Sequence, residues 1–398
     1  MARSCLTLKT VCIVLLLIAC APPVAAASVV QLTNDSAFDS YPFWSPDGSK
    51  IAYVSSDGGS AGIRVMERDG QNPVPVTDKD LWNFFTGFDP WSPDGKKLLF
   101  LSDDRGGLDL WTMNPDGTGR MRLTENGRIV PGLPLSGYGA DWSADGKPIV
   151  YTSCLFDNAA IWKDFVTTAA EGSPAVNGSA IRTEADIWIM DADGGNKKQL
   201  TSDGDARLPL WQPHGDRIAY LSDGSGNREI RTMQSDGTGE TQVTFSQGNV
   251  SGYSWSPDGD RIAYVVATPP GTLPEFSLWV INGDGSGSEQ LTTGNRDRSP
   301  AWSPDGARIA FRSESRDRAL GVMKSDGSDL APLDPDNPTY MMQQWSPDGR
   351  TIVVSDGNDL YAIQLEDPAA PASPGFEVVS AAGALLLTVC LLRLRKQE

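Results

Sequence analysis

The chain has 398 residues, with 51 Asp and Glu against 33 Lys and Arg, a net charge of −18, and a single His. An acid excess of this size excludes a general nucleic-acid binder, which needs a basic face against phosphate. One histidine excludes multi-histidine metal sites and argues against His-dependent catalysis.

Residues 1–27 have the form of a secretory signal. Arg3 and Lys9 give a positive start, residues 11–19 are apolar, and Ala25-Ala26-Ala27 offers small residues for cleavage before Ser28. Leu17-Ile18-Ala19-Cys20 offers a rival cut that resembles a lipobox and would place a lipid on Cys20. Cys5, Cys12, Cys20 and Cys390 all lie in the end segments, which leaves Cys154 and no intramolecular disulfide framework.

Residues 28–366 repeat one unit seven times. Trp44, Trp91, Trp142, Trp211, Trp255, Trp302 and Trp345 recur at spacings of 47, 51, 69, 44, 47 and 43 residues. A period of this length marks a propeller or a solenoid. Each Trp ends a first strand and enters a turn, Ser-Pro-Asp-Gly in most units, where Pro pre-sets φ and Gly suits the last position. A β-rich second strand follows, such as Ile51-Ala-Tyr-Val, and then a variable loop. A third strand such as Leu110-Trp-Thr-Met leads through an Asp-Gly hairpin turn to a fourth that ends near Leu-Thr. Four antiparallel strands, seven times, predict an all-β, seven-bladed β-propeller. The seventh unit stops after its third strand, and an orphan copy, Val29-Val30-Gln31-Leu32-Thr33, stands at the start. The N-terminal strand is therefore expected to complete the last blade, which removes exposed edges.

Trp-Ser-Pro-Asp-Gly, Ile-Ala-Tyr, Met-x-x-Asp-Gly and Gln-Leu-Thr together resemble the TolB-type, WD-like propeller repeat across residues 29–365. The resemblance implies the fold. The repeat residues are structural and name no ligand. TolB itself pairs six blades with a separate N-terminal domain, whereas this chain shows seven units and no such domain.

Residues 367–376 form a Pro/Ala spacer ending in Pro374-Gly375-Phe376. Residues 377–398 follow as a short apolar run and a basic stop of Arg393, Arg395 and Lys396. The apolar run, residues 378–392, falls short of the roughly 20 residues of a spanning helix. The arrangement resembles the PGF-CTERM sorting signal of archaeal surface proteins, in which the tail is exchanged for a lipid anchor. An ordinary tail anchor is the other reading. Both place the propeller outside the cytoplasm, at the cell surface and attached to the membrane. Without residues 1–27 and 377–398 the chain keeps 28 basic and 49 acidic residues, a net −21, which suits a soluble exterior.

The residues offer little catalytic chemistry. His214 stands in the fourth unit's turn, where its siblings are Asp, and reads as a surface variant. Gly58-Gly59-Ser60-Ala61-Gly62 has the spacing of a nucleophile elbow, but it lies between two strands and not at a strand-to-helix turn. Asp191-x-Asp193-Gly194 lacks the further ligands of a calcium loop.

In a four-stranded blade the short Ser-Pro-Asp-Gly and Asp-Gly turns share one face. The variable loops and the blade-to-blade connections share the other. Variation gathered on one face marks a binding face. The connection 78–89 carries Trp82, Phe84 and Phe85. The connection 125–140 carries Arg128 and Tyr138, and the insertion 154–185 carries Trp162 and Phe165. These aromatics form either a binding patch or a cap over the channel. Arg296, Arg298, Arg316 and Arg318 lie in adjoining loops, each pair flanking its own Asp. They read as an anion site or as salt-bridged turns. Asn34, Asn177 and Asn249 are glycosylation acceptors.

The chain is therefore expected to be a monomeric, membrane-anchored scaffold without catalysis, metal or cofactor, binding a surface protein or glycan through its variable face. A propeller-fold carbohydrate lyase or hydrolase is the alternative, and a structural envelope component is a third.

Overall fold

The computed structural model describes residues 26–78, 80–86, 89–104, 108–125, 139–154, 184–268, 275–293, 296–314, 320–333 and 340–365. Among them are seven four-stranded antiparallel sheets and no helix. Sheets 1 to 7 are the blades of the propeller. Their inner strands are Phe38–Trp44, Asn83–Phe84, Ala140–Trp142, Ala206–Trp211, Asn249–Trp255, Asp297–Trp302 and Met341–Trp345.

Local chemistry accounts for the repeat. In the first turn the Ser45 hydroxyl donates to Asp47 at 2.6 Å, and the Ser49 and Lys50 amides donate to Asp47 and Ser45 at 3.0 and 2.9 Å. The motif thus satisfies its own polar groups, and Ser92, Ser143, Ser303 and Ser346 repeat the bond to the turn Asp. The fourth turn lacks that Asp. There His214 takes the left-handed conformation at φ 57° and is exposed.

The core lies in seven apolar layers, one between each pair of neighbouring blades. One layer joins Val54 and Ile63 of blade 1 to Phe85 and Leu98 of blade 2, and another joins Tyr53 of blade 1 to Val353 and Leu360 of blade 7. Middle strands are buried on both faces, which explains runs such as Leu98–Ser102 with every residue buried. The seven repeat tryptophans are all buried in these layers. Four of their indole N–H groups cross to the preceding blade: Trp91 donates to Phe43, Trp142 to Pro90, Trp302 to Ser254 and Trp345 to Ala301, at 3.0 to 3.3 Å. Trp111 is also buried, while Trp188 and Trp279 are half-buried against the same layers.

The outer strands are shorter than the sequence implies. Val74–Pro75 and Met121–Arg122 are two residues each. In the Leu-Thr or Val-Thr that follows, the apolar residue's amide still donates to the third strand at 2.8 to 2.9 Å, while the Thr hydroxyl takes over as acceptor. Thr77, Thr124, Thr201, Thr244 and Thr292 accept the amides of Ile63, Leu110, Ile187, Ile230 and Leu278 at 2.8 to 3.0 Å.

Ring closure follows the same rule. Ala26–Gln31 pairs antiparallel with Leu360–Leu365, and the sheet order places it outermost in blade 7. Leu32 N–H donates to the Leu360 carbonyl at 2.8 Å, and Leu360 N–H donates to the Thr33 hydroxyl at 2.9 Å. Val29 and Val30 of the closing strand are exposed.

The Asp69-Gly70 turn of blade 1 seats on this strand. Gly70 has φ +84°, and a Cβ there would stand 2.7 Å from the Leu32 carbonyl oxygen. Gly58 has φ +87° with nothing within 4 Å of a Cβ. Gly58→Ala should therefore cost only the left-handed strain, about 1–2 kcal/mol, while Gly70→Ala should cost clearly more by pushing the closing strand away. Urea unfolding of the two variants checks this. Equal losses would mean that the turn does not hold the strand.

Candidate functional site at the channel mouth

Of the residues expected on the variable face, the structure describes Trp82, Phe84, Phe85, Arg296 and Arg298. Asn83–Phe84 is the inner strand of blade 2, so the segment 78–89 is not purely a connection. Phe85 is 2% exposed and meets Phe43 edge-on at 5.5 Å. Trp82 and Phe84 stack at 5.7 Å and pack, half-buried, on the layer between blades 1 and 2. Arg296 and Arg298 both reach Glu314, at 3.7 and 3.5 Å, and the Arg298 guanidinium lies 3.8 Å from the Phe276 ring centre. Asn34 is exposed, whereas the Asn249 carboxamide accepts the Arg228 amide at 2.8 Å. Cys20, Arg128, Tyr138, Trp162, Phe165, Asn177, Arg316, Arg318, Pro374, Gly375 and Phe376 lie outside the described residues.

The opposite, short-turn face holds a cavity of about 370 Å³ at the mouth of the channel. Blades 7, 1, 2 and 3 line it. Trp44, Trp91, Trp142 and Trp345 and the turn prolines Pro46, Pro93 and Pro347 supply the apolar wall. Asp89, Asp141 and Gln344 supply the polar groups.

Both acids are fixed by backbone amides. Trp91 N–H donates to Asp89 Oδ1 at 3.0 Å. Trp211 N–H, from blade 4, donates to Asp141 Oδ2 at 2.8 Å. The Trp142 amide also pulls on Asp141. Asp89 is exposed, yet the surrounding protein displaces much of its hydration. This loss of solvation pushes its pKa up to about 7, against the opposing pull of the Trp91 amide. Loss of solvation pushes Asp141 up to about 7 as well. The Trp211 amide opposes that shift, and the Asp89 charge adds to it. The charge on Asp89 thus reaches Asp141 across the cavity they both line.

Neither acid belongs to a sequence motif. The signal is in the columns next to the repeat Trp. Immediately before it the units carry Phe43, Pro90, Asp141, Leu210, Ser254, Ala301 and Gln344. Two before it they carry Pro42, Asp89, Ala140, Pro209, Tyr253, Pro300 and Gln343. Each column holds a single ionisable acid, at a place where the fold asks for none.

With this geometry established, the comparisons can be weighed. Residues 169–348 match the TolB beta propeller domain family, PD40. A dipeptidyl-peptidase 5 of Porphyromonas endodontalis is 30% identical over 117 residues, which are 29% of this chain and 14% of that protein. The chain thus spans about 14% of the curated relative it matches. An oligogalacturonate lyase in complex with manganese superposes with a TM-score of 0.65 at 18% identity, covering 87% of this chain and 97% of the other. The oligogalacturonate lyase of Vibrio parahaemolyticus gives 0.62 at 16%, covering 85% and 95%. The propeller of the Pyrococcus furiosus trilobed protease, described as an open velcro ring, gives 0.56 at 14%, covering 86% and 99%. At these identities the likenesses establish the fold.

They also correct one expectation. A chain without catalysis was expected, yet the similar folds are lyases and the curated relative is a peptidase, so that reading is withdrawn. Manganese is a separate matter. Among the described residues no three His, Cys, Asp or Glu side chains gather to hold a metal ion. The cavity offers two carboxylates and a carboxamide, and His214 stands on an exposed turn. These are oxygen donors of the kind manganese takes, but they number fewer than the roughly six of its usual shell, and among the described residues no further acid or histidine joins them.

Proposed function

We propose that this chain is a carbohydrate-active enzyme whose acid–base pair is Asp89 and Asp141. The observation that carries the reading is two carboxyls, each held by a backbone amide and raised by loss of solvation, lining one cavity. Near pH 7 such a pair holds about one proton, so one member can give a proton while the other takes one. That division of labour serves glycosidic cleavage by hydrolysis or by elimination. The exposed prolines Pro46, Pro93 and Pro347, with the rims of the otherwise buried tryptophans, offer apolar surface to sugar rings, and Gln344 can both donate to and accept from hydroxyls. The fold likeness to two polysaccharide-fragment lyases supports the carbohydrate class. The signal-like residues 1–27 and the tail 367–398 support an extracytoplasmic, membrane-anchored site of action. Among the described residues no helix is long and apolar enough to cross a membrane.

Asp89→Asn and Asp141→Asn test the assignment. Each amide keeps an oxygen to accept its backbone N–H, so both variants should fold. Each should slow turnover by roughly 10²–10⁴-fold, the usual worth of a positioned acid or base. Carboxyl NMR titration gives a second readout. Asp89→Asn should lower the midpoint of Asp141, because the repelling charge is gone. Unchanged turnover, with an unmoved Asp141 midpoint, would overturn the pair.

A further inference from the structure

Resting on that reading, we infer that the channel mouth takes an uncharged, hydroxyl-rich oligosaccharide and rejects uronates. The wall of the cavity contains no Lys, Arg or His. Its polar groups are Asp89, Asp141 and Gln344, which suit hydroxyl donors and leave a ligand carboxylate without a cation.

The basic groups around the mouth already have partners. Lys50 pairs with Glu67 at 2.7 Å, Lys96 with Asp94 at 3.1 Å, Lys147 with Asp145 at 3.4 Å and Arg68 with Asp348 at 3.6 Å. Arg308 lies 5.0 Å from the Trp345 ring centre and donates to the Gly349 carbonyl at 3.2 Å, so it is held beside the wall. Asp94, Asp145 and Asp348 are offset by Lys96, Lys147 and Arg68, which leaves Asp47 of the turn ring and the cavity's own Asp89 and Asp141 as the net negative charge at the opening. Asp47, Asp94, Asp145 and Asp348 are all held in the ionised form by serine hydroxyls and backbone amides. A polyanionic chain would meet this net charge as it enters the cavity. A neutral chain meets no such barrier, and its C–H faces gain the Trp and Pro wall.

A ligand pair that differs only in charge decides the matter. Tetragalacturonate and its fully methyl-esterified form share one skeleton. Binding of each to the full chain is measured by calorimetry at pH 7 and low salt, beside neutral gluco- and manno-tetrasaccharides. The ester or a neutral tetrasaccharide should bind at least tenfold more tightly than the free acid. Asp89→Asn and Asp141→Asn should narrow the gap between acid and ester, because each removes a repelling charge. Gln344→Ala should weaken the neutral ligands without narrowing the gap, which separates a lost contact from a lost charge. Equal or tighter binding of the free acid overturns the inference, as does failure of every neutral oligomer to bind. If the neutral ligands bind but no substitution in the cavity alters their affinity, the channel-mouth reading fails as well.

Discussion

A chain lacking residues 26–33 is expected to lose its single cooperative unfolding transition. The deletion strips blade 7 of its outer strand, with the ladder partners Val29 to Ile363, Val30 to Ala362 and Gln31 to Tyr361. It also removes Leu32 from the layer between blades 7 and 1, and Thr33 from beneath the Leu360 amide. Gly70 of blade 1 loses the backbone it rests on. Each lost hydrogen bond is worth about 1 kcal/mol net, and each kcal/mol moves the midpoint of a large domain by roughly 2–4 °C. The expected drop in melting temperature is on the order of 10 °C or more, with blade 7 melting ahead of the rest. Thr33→Val is the gentle version. It leaves a part-buried amide without its acceptor and should cost about 1–3 kcal/mol. Thermal scans followed by circular dichroism and tryptophan fluorescence measure both. A deletion variant that melts within 2 °C of the parent, by about one kcal/mol on the same scale, would show that the strand is dispensable.

Stability should peak on the acid side of neutrality. Two opposed sets of carboxyls set the window. Asp89 and Asp141 are raised to about 7, above their ordinary value of 3.8, so the folded chain holds protons that the unfolded chain has released. Their contribution is fully present below pH 3.8 and is lost as pH rises through 7. Asp39, buried and raised by loss of solvation, acts in the same direction. The turn acids act oppositely. Hydrogen bonds from Ser92 and the Lys96 amide hold Asp94 down at about 2, and Asp258 and Asp326 are lowered by the same kind of contact. Their contribution is present above pH 3.8 and fades as pH falls toward 2. Melting temperature against pH should therefore rise from pH 2, crest just above 4, and decline toward 7 and beyond. The double variant Asp89→Asn, Asp141→Asn should flatten the decline on the neutral side only. Asp94→Asn should soften the acid side only. A profile with its maximum at pH 8 would contradict the raised pair.

The ring was legible because its signals are local. Trp before Ser-Pro-Asp-Gly, Asp-Gly between strands and Thr after Leu each do one chemical job at one place, and repetition from unit to unit made each job visible. The orphan Val29–Thr33 copy even foretold the closure. Blade 2 was harder to read. Its inner strand sits well ahead of Trp91, so aromatics that belong to the blade had the look of a loop. Phe85 illustrates the difficulty, since an exposed anchor and a core plug share one side chain and only packing separates them. The candidate site was missed for a related reason. Asp89 and Asp141 form no motif. They appear as departures from a column, and their coupling depends on two blades converging on one axis.

The pairing of Ala26 with Leu365 brings the first and last described residues together at a single corner of blade 7. Chain order is thus nearly immaterial to the finished ring. Joined across that corner and reopened within another blade's variable loop, the same blades would form the same circle. It follows that whatever is attached ahead of the first strand and whatever follows the last share one point of attachment. A tether at either end would grip the ring by the same edge.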